Sequence, residues 1–380
     1  MKVVVNSEQL HKVLRRAELS KGSNVNPIHA LVKIEAKAEP PSLAFTSTMG
    51  LMQINTSILA KVDEPGVVTA NTKALLNAAG AMPAGGTKIE TDATRIRLTG
   101  SNGRRWSGAV ANDALGATPE PEAGVAHWLR VPIADLRRGI ERVGHSSGDI
   151  RKEEQRGPRD GVKIEAAPGT LVTVGLTDRM CVTLAQSSEV ELKAESWVGL
   201  IPSMALAPLR DIFDEALEEE KTAIDLYEDG RFLYIMGPNT LLVVALPIGE
   251  YPPWQLMLSN FPTEPHAVLA RLPLIEALKA CQATSLLPNS SALYSLEGGN
   301  VRVFRRDPDN EFSDTVPVVT MRPNLRMLMR SDIGYLTSCL TAADEDPELS
   351  VGDDAKMVLL RTHTGYRAAF SLQDPEKGVP

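Results

Sequence analysis

Repetition limits what this chain can become more than any other feature. A short apolar stretch, a polar or proline break and an amphipathic helix recur along it, and such repeats dictate architecture before single motifs do. Residues 2–5 (KVVV) lead to Ser7, read as an N-cap, and then to EQLHKVLRRAE. Residues 128–131 (WLRV) lead to Pro132, read as the first helical residue, and then to IADLRRGIERVG. Residues 267–272 (AVLARL) lead in the same way to Pro273 and LIEALKACQA. Each unit echoes itself roughly 55–70 residues later. Residues 66–70 precede Asn71 or Thr72 as cap and KALLNAAGAM, residues 197–202 precede Ser203 and MALAPLRDIFDEAL, and residues 325–329 precede Ser331 and DIGYLTSCL. Pro208 inside the second of these helices implies a late start or a kink. Between the helices lie segments of strand period, among them residues 31–35, 88–91, 95–98 and 301–304.

Two proline-rich stretches punctuate the repeats: residues 112–127 (NDALGATPEPEAGVAH) and 249–265 (GEYPPWQLMLSNFPTEP). They divide the 380 residues into pieces 1–122, 123–258 and 259–380, each of ordinary domain size. The expected fold class is α+β, three repeated domains, each with two helices packed on antiparallel sheets.

An amphipathic helix buries one stripe and exposes another. Leu10, Val13, Leu14 and Ala17 form the first stripe, with Lys12, Arg15 and Arg16 expected opposite. Ile133, Leu136, Ile140 and Val143 form the second, with Arg137, Arg138 and Arg142 outward; Lys73, Arg210 and Lys279 take comparable places elsewhere. The bland reading of each is a solvated face. The sharper one is that equivalent helices face the same way, so that their cations converge on a phosphate backbone. A net charge of -8 argues against a general nucleic-acid binder, but where the cations sit matters more than their sum.

Catalytic signatures are missing. The sequence has no GxxxxGK[ST] loop, no GxGxxG and no HExxH, and its 6 His are scattered. Asp307, Asp309 and Glu311 alternate like the start of a calcium loop without its glycine and final glutamate, and read as an exposed turn. The 3 Cys stand far apart and never in a CxxC pair, which argues against a disulfide framework or a thiolate zinc site. No metal or cofactor is expected. The opening MKVVVNSEQLHK has no long apolar core, and no uncharged apolar run approaches about 18 residues, so a soluble, cytoplasmic chain is expected.

The repeats and local sequence resemble the bacterial sliding clamps, the beta subunits of DNA polymerase III. MKVVVNSEQLHKVL is similar to the family's opening, Asn26-Pro27-Ile28 to its proline turn, and residues 64–70 (EPGVVTA) to the approach to its second helix. Residues 176–180 (LTDRM) fall where the family has Thr-Asp-Gly-His-Arg-Leu, and residues 249–254 (GEYPPW) where it has Gly-Arg-Phe-Pro-Asp-Tyr. The resemblance implies three DNA-clamp domains, a ring-shaped homodimer around duplex DNA, binding without sequence preference, and no enzymatic activity. It implies tethering of the polymerase III alpha subunit and a clamp loader through short linear motifs. The implied DNA-facing residues are Lys12, Arg15, Arg16, Lys21, Lys73, Arg137, Arg138, Arg142, Arg210 and Lys279; Ser23 stands where the family has a base. The implied peptide groove involves Thr177, Arg179, Met180, Val182, Pro252, Leu256, Met257 and Leu372. The implied dimer contact pairs Arg105, Trp106 and Ser107 with the region of Gln282 and Leu286. Departures are the run Arg179-Met180-Cys181-Val182 and a polar end, residues 370–380, where the family has Met-Pro-Met-Arg-Leu. Two rivals remain: a divergent paralogue that binds partners without encircling DNA, and a metal-dependent nucleic-acid enzyme using Asp307.

Overall fold

The computed structural model describes residues 1–20, 27–111, 115, 127–147, 159–284, 291–306 and 310–375. Among these the α-helices are α1 (Ser7–Leu19), α2 (Thr72–Gly80), α3 (Ile133–Val143), α4 (Leu206–Glu218), α5 (Gln255–Ser259), α6 (Arg271–Ala283) and α7 (Ile333–Ala342). The chain forms two compact units, Met1–Ala134 with Val190–Leu246, and Asp135–Glu189 with Pro247–Pro380.

The first unit holds two antiparallel sheets. One runs Lys61–Glu64, Lys2–Asn6, Gly86–Thr91, Arg95–Gly100, Arg105–Ala109. The other runs Glu191–Leu192, His127–Pro132, Ala223–Glu228, Phe232–Met236, Thr240–Ala245, Met52–Leu59, Ser42–Thr48, Leu31–Lys37, Gly66–Asn71. Val3, Leu10, Leu14, Ile34, Phe45, Leu75 and Leu98 form one buried cluster with their neighbours, so the α1 stripe read from spacing is the core-facing one. In the second unit the strand order is Val162–Ala167, Thr170–Leu176, Met180–Ser187, Tyr366–Ser371, Met357–Arg361, Glu348–Val351, Ala267–Leu269, Glu311–Met321, Asn300–Arg306, Ser291–Glu297, Met327–Asp332. The α3 stripe of Leu136, Ile140 and Val143 is fully buried.

Each unit contains one place where a strand of one repeat pairs with the last strand of the next. Met52–Leu59 pairs with Thr240–Ala245 from Met52↔Val244 to Thr56↔Thr240. Met180–Ser187 pairs with Tyr366–Ser371 from Met180↔Phe370 to Leu184↔Tyr366. Hydrogen-bonded sheets that run from repeat to repeat explain why the compact units do not follow the proline-rich punctuation of the sequence.

Several helix starts differ from expectation. Asn6, not Ser7, caps α1, accepting from the backbone N–H of Glu8 and Gln9; Ser7 is buried and donates to the Gly85 carbonyl at 2.9 Å. Asp332, not Ser331, caps α7 in the same way, accepting from the N–H of Gly334 and Tyr335; both caps are the last residue of the preceding strand and hold the extended backbone a cap needs. Pro132 ends a strand and Pro273 is the third residue of α6, a position whose N–H needs no intrahelical partner. Asn71 caps α2. Residues Ser203–Ala205 form a separate 3-10 turn and α4 starts late, at Leu206, which places Pro208 harmlessly in its first turn.

Candidate nucleic-acid interface and partner groove

The cations of α1 do not project freely. Lys12 Nζ lies 2.8 Å from Glu218 and an Arg15 guanidinium nitrogen 3.3 Å from Asp211. Arg16, expected on the outer face, is buried instead. Its Nη1 donates to Glu215 Oε1 at 2.8 Å, to Thr240 Oγ1 at 2.6 Å and to Thr56 Oγ1 at 3.2 Å. Position 16 lies one turn beyond Val13 at the border of the apolar stripe, which points it at the strand pair Met52–Leu59/Thr240–Ala245. All three partners on α4 are carboxylates, and that helix carries Asp211, Asp214, Glu215 and Glu218 against Arg210 alone. Their spacing of three and four was the available signal that α4 presents an acidic face.

The second unit repeats the arrangement. Arg137 pairs with Glu141 within α3 at 3.0 Å, whereas Arg138 reaches Asp344 at 2.8 Å. Arg142, half-buried, donates to the Ala342 carbonyl and lies 3.8 Å from the same Asp344. Ala342 is the last residue of α7, so a guanidinium satisfies an end carbonyl there. Lys73, Arg210 and Lys279 are exposed. Lys21, Ser23, Asp307 and Asp309 lie outside the described residues. Among the described residues no group of three or more His, Cys, Asp or Glu is arranged to hold a metal ion.

The expected groove residues belong to the second unit. The turn Thr177–Met180 is closed by Thr177, whose N–H donates to the Met180 carbonyl at 2.8 Å. Arg179 and Leu372 line one pocket with Tyr335, Ser371 and Gln373; Leu256 and Met257 line another with Phe261, Pro262 and Met357. Met180 and Val182 are buried beneath the surface, Val182 paired with Ala368 and the Met180 sulfur 3.6 Å from Cys339 Sγ. Pro252 is half-buried. Sequence reasoning missed the floor: Val174, Leu176 and Cys181 are buried, with Tyr251, Trp254, Met257 and Leu258 packed on them. Trp254 is held by its Nε1–H, which donates to Glu165 at 3.0 Å, and Glu165 pairs with Lys163 at 2.7 Å. Burial pushes the Cys181 thiol up to about 12, so it acts as an apolar filler. The aromatic pair was legible only as part of a linker, because proline-rich composition hides a packed segment.

Arg105, Trp106 and Ser107 sit on Arg105–Ala109, the last strand of its sheet. Gln282 is exposed near the end of α6, and Leu286 lies outside the described residues.

No protein-family model and no curated protein matches the sequence. Solved structures do. A DNA polymerase III beta subunit from Thermotoga maritima superposes with a TM-score of 0.85 at 16% identity, covering 98% of this chain and 99% of that one. The beta subunit from Pseudomonas aeruginosa gives 0.85 at 15% identity, covering 98% and 100%. A DNA polymerase sliding clamp from Bacillus subtilis gives 0.84 at 14% identity, covering 98% and 99%. Over nearly its whole length, then, this chain has the α+β fold of the bacterial sliding clamps, built from three repeats.

Proposed function

We propose that the chain is a DNA sliding clamp, a processivity factor without catalytic activity of its own. Two copies close head to tail into a ring around duplex DNA, each contributing domains 1–122, 123–258 and 259–380. The ring tethers the DNA polymerase III alpha subunit and is opened and closed by a loader, both engaging through short linear peptides at the groove floored by Val174, Leu176 and Cys181.

One observation carries this reading. Repeats one and two, and repeats two and three, are joined by pairing of equivalent strands, and among the described residues the corresponding edges in repeats three and one are not paired with each other. A second copy satisfies both edges at once. The exposed cations Lys73, Arg210 and Lys279 supply a sparse contact to phosphates that positions without reading sequence. Retention then comes from topology.

The pairing of most other candidate cations with carboxylates favours, as a second reading, a paralogue that binds partner peptides without holding DNA. Loaded complexes on nicked circular and linearised DNA separate the two. A clamp stays with the circle through gel filtration at moderate salt and is lost on linearisation. Equal retention on both forms, or on neither, removes the ring reading.

A further inference from the structure

Three soft donors meet where the Thr177–Met180 turn runs into its strand. Cys339 Sγ lies 3.6 Å from the Met180 sulfur and 4.0 Å from His145 Nε2. They come from distant segments. His145 belongs to the 3-10 turn Gly144–Ser146 that follows α3, Met180 opens the strand Met180–Ser187, and Cys339 lies on α7. All three fall within the second compact unit.

The separations fit one ion held between them. Metal bonds of ~2.3 Å to sulfur and ~2.0 Å to nitrogen span these gaps with angles of about 100° between the two sulfurs and about 140° between sulfur and nitrogen, a spread centred on trigonal geometry. Each donor is also fixed from behind. The His145 ring is hydrogen-bonded to the Arg142 carbonyl, one turn back, as outer partners orient metal-ligating histidines. Tyr366 donates its hydroxyl to the Cys339 carbonyl at 3.0 Å. Met180 is pinned by strand pairing with Phe370. Cys339 is 0% and Met180 3% exposed, whereas His145 is exposed, so an ion can enter from the histidine side.

We propose that Cys339, Met180 and His145 form a binding site for a soft monovalent metal ion of the copper(I) class. Thiolate and thioether select such an ion, and imidazole suits it as well. Charge decides between copper(I) and zinc(II). One thiolate cancels one positive charge, so bound copper(I) leaves the pocket neutral. Zinc(II) leaves an uncompensated charge beside a buried sulfur, which burial penalises. The four donors of a structural zinc are not assembled either: among the described residues no third His, Cys, Asp or Glu joins the pair. Binding replaces the thiol hydrogen by the metal, and the proton leaves to solvent. Cys181, by contrast, turns its sulfur toward the Trp254 carbonyl, 4.0 Å away.

Copper(I) itself is the probe. The full chain, reduced and free of oxygen, is titrated with the acetonitrile complex of copper(I) in competition with the chelator bicinchoninate. One ion per chain should resist the chelator and give a thiolate-to-copper absorption band in the ultraviolet. X-ray absorption should find two sulfur neighbours and one nitrogen, the second sulfur being the thioether. Cys339→Ala should weaken binding about 100-fold or more and His145→Gln about 10-fold or more, while Cys181→Ala and Cys281→Ala bind like the parent. Replacing the buried Cys339 can disturb folding, so the exposed His145→Gln, with an unchanged circular dichroism spectrum, is the second arm. Excess zinc(II) should not displace the copper. Full retention of the ion by Cys339→Ala or by His145→Gln, three sulfur neighbours, displacement by zinc(II), or no ion surviving the chelator each overturns the site.

Discussion

At the scale of single residues, two buried charges show what the fold tolerates. Arg16 is paired with Glu215 and engaged through its Nη1, whereas Glu228 carries a buried, unbonded oxygen. Glu228 Oε2 is buried beside Trp197 and Gly199 without a hydrogen-bond partner among the described residues. Burial first, and Asp229 second, push its carboxyl up to about 7 from 4.5. Because the folded value is raised, the unfolded chain ionises first. Stability is therefore lost as pH climbs from about 4.5 to about 7, and the whole cost is present above that. Glu228→Gln should stabilise the protein by on the order of 1 kcal/mol near pH 8 and leave it unchanged near pH 4. Urea unfolding midpoints at the two pH values check this, and equal shifts at both would show that the carboxyl does not titrate in that window.

At the scale of elements, α1 is tied to α4 by three ion pairs of unequal worth. The Lys12–Glu218 pair is well exposed on both sides and contributes little. The Arg16–Glu215 pair is 7% and 11% exposed, so removing one partner strands the other. Arg16→Met should cost about 3 kcal/mol or more, against less than about 1 kcal/mol for Arg15→Met, in the same denaturation assay. Comparable losses would mean that Glu215 finds water. Helices and strands were legible in the sequence because their periods of 3.6 and 2 are local. The fate of Arg16 was not, since Glu215 lies 199 residues away in the chain. Helix starts fell between these cases. Asn6 and Asp332 stand next to the serines read as caps, and the choice between such equivalent neighbours falls to whichever ends the preceding strand. The groove was half legible. Its Thr177 turn carried a familial pattern, but Tyr251 and Trp254 sat inside a proline-rich run that composition assigns to a linker.

At the scale of the whole molecule, the proposed clamp would owe its affinity for DNA to the exposed cations that are not paired with carboxylates. Of the nine described candidates, Lys12, Arg15, Arg16, Arg137, Arg138 and Arg142 are paired with carboxylates. Lys73, Arg210 and Lys279 are exposed, so the proposed ring would offer few direct phosphate contacts. The logarithm of the binding constant for a closed ring on short duplex should fall with the logarithm of salt with a slope no steeper than about -5. Fluorescence anisotropy across a salt series measures it, and a much steeper dependence would mean that DNA pulls the ion pairs apart and recruits their arginines.

Arg104 and Arg105 stand exposed at one end of the strand Arg105–Ala109 with no acid among residues 104–109, and Glu311 and Asp314 stand exposed on Glu311–Met321 with no base among residues 311–317. Two identical edges brought together repel: Arg104 and Arg105 would meet their own kind, and so would Glu311 and Asp314. Blunt back-to-back stacking, the usual hazard of an uncovered strand, is thereby discouraged by the like charges that each stretch carries.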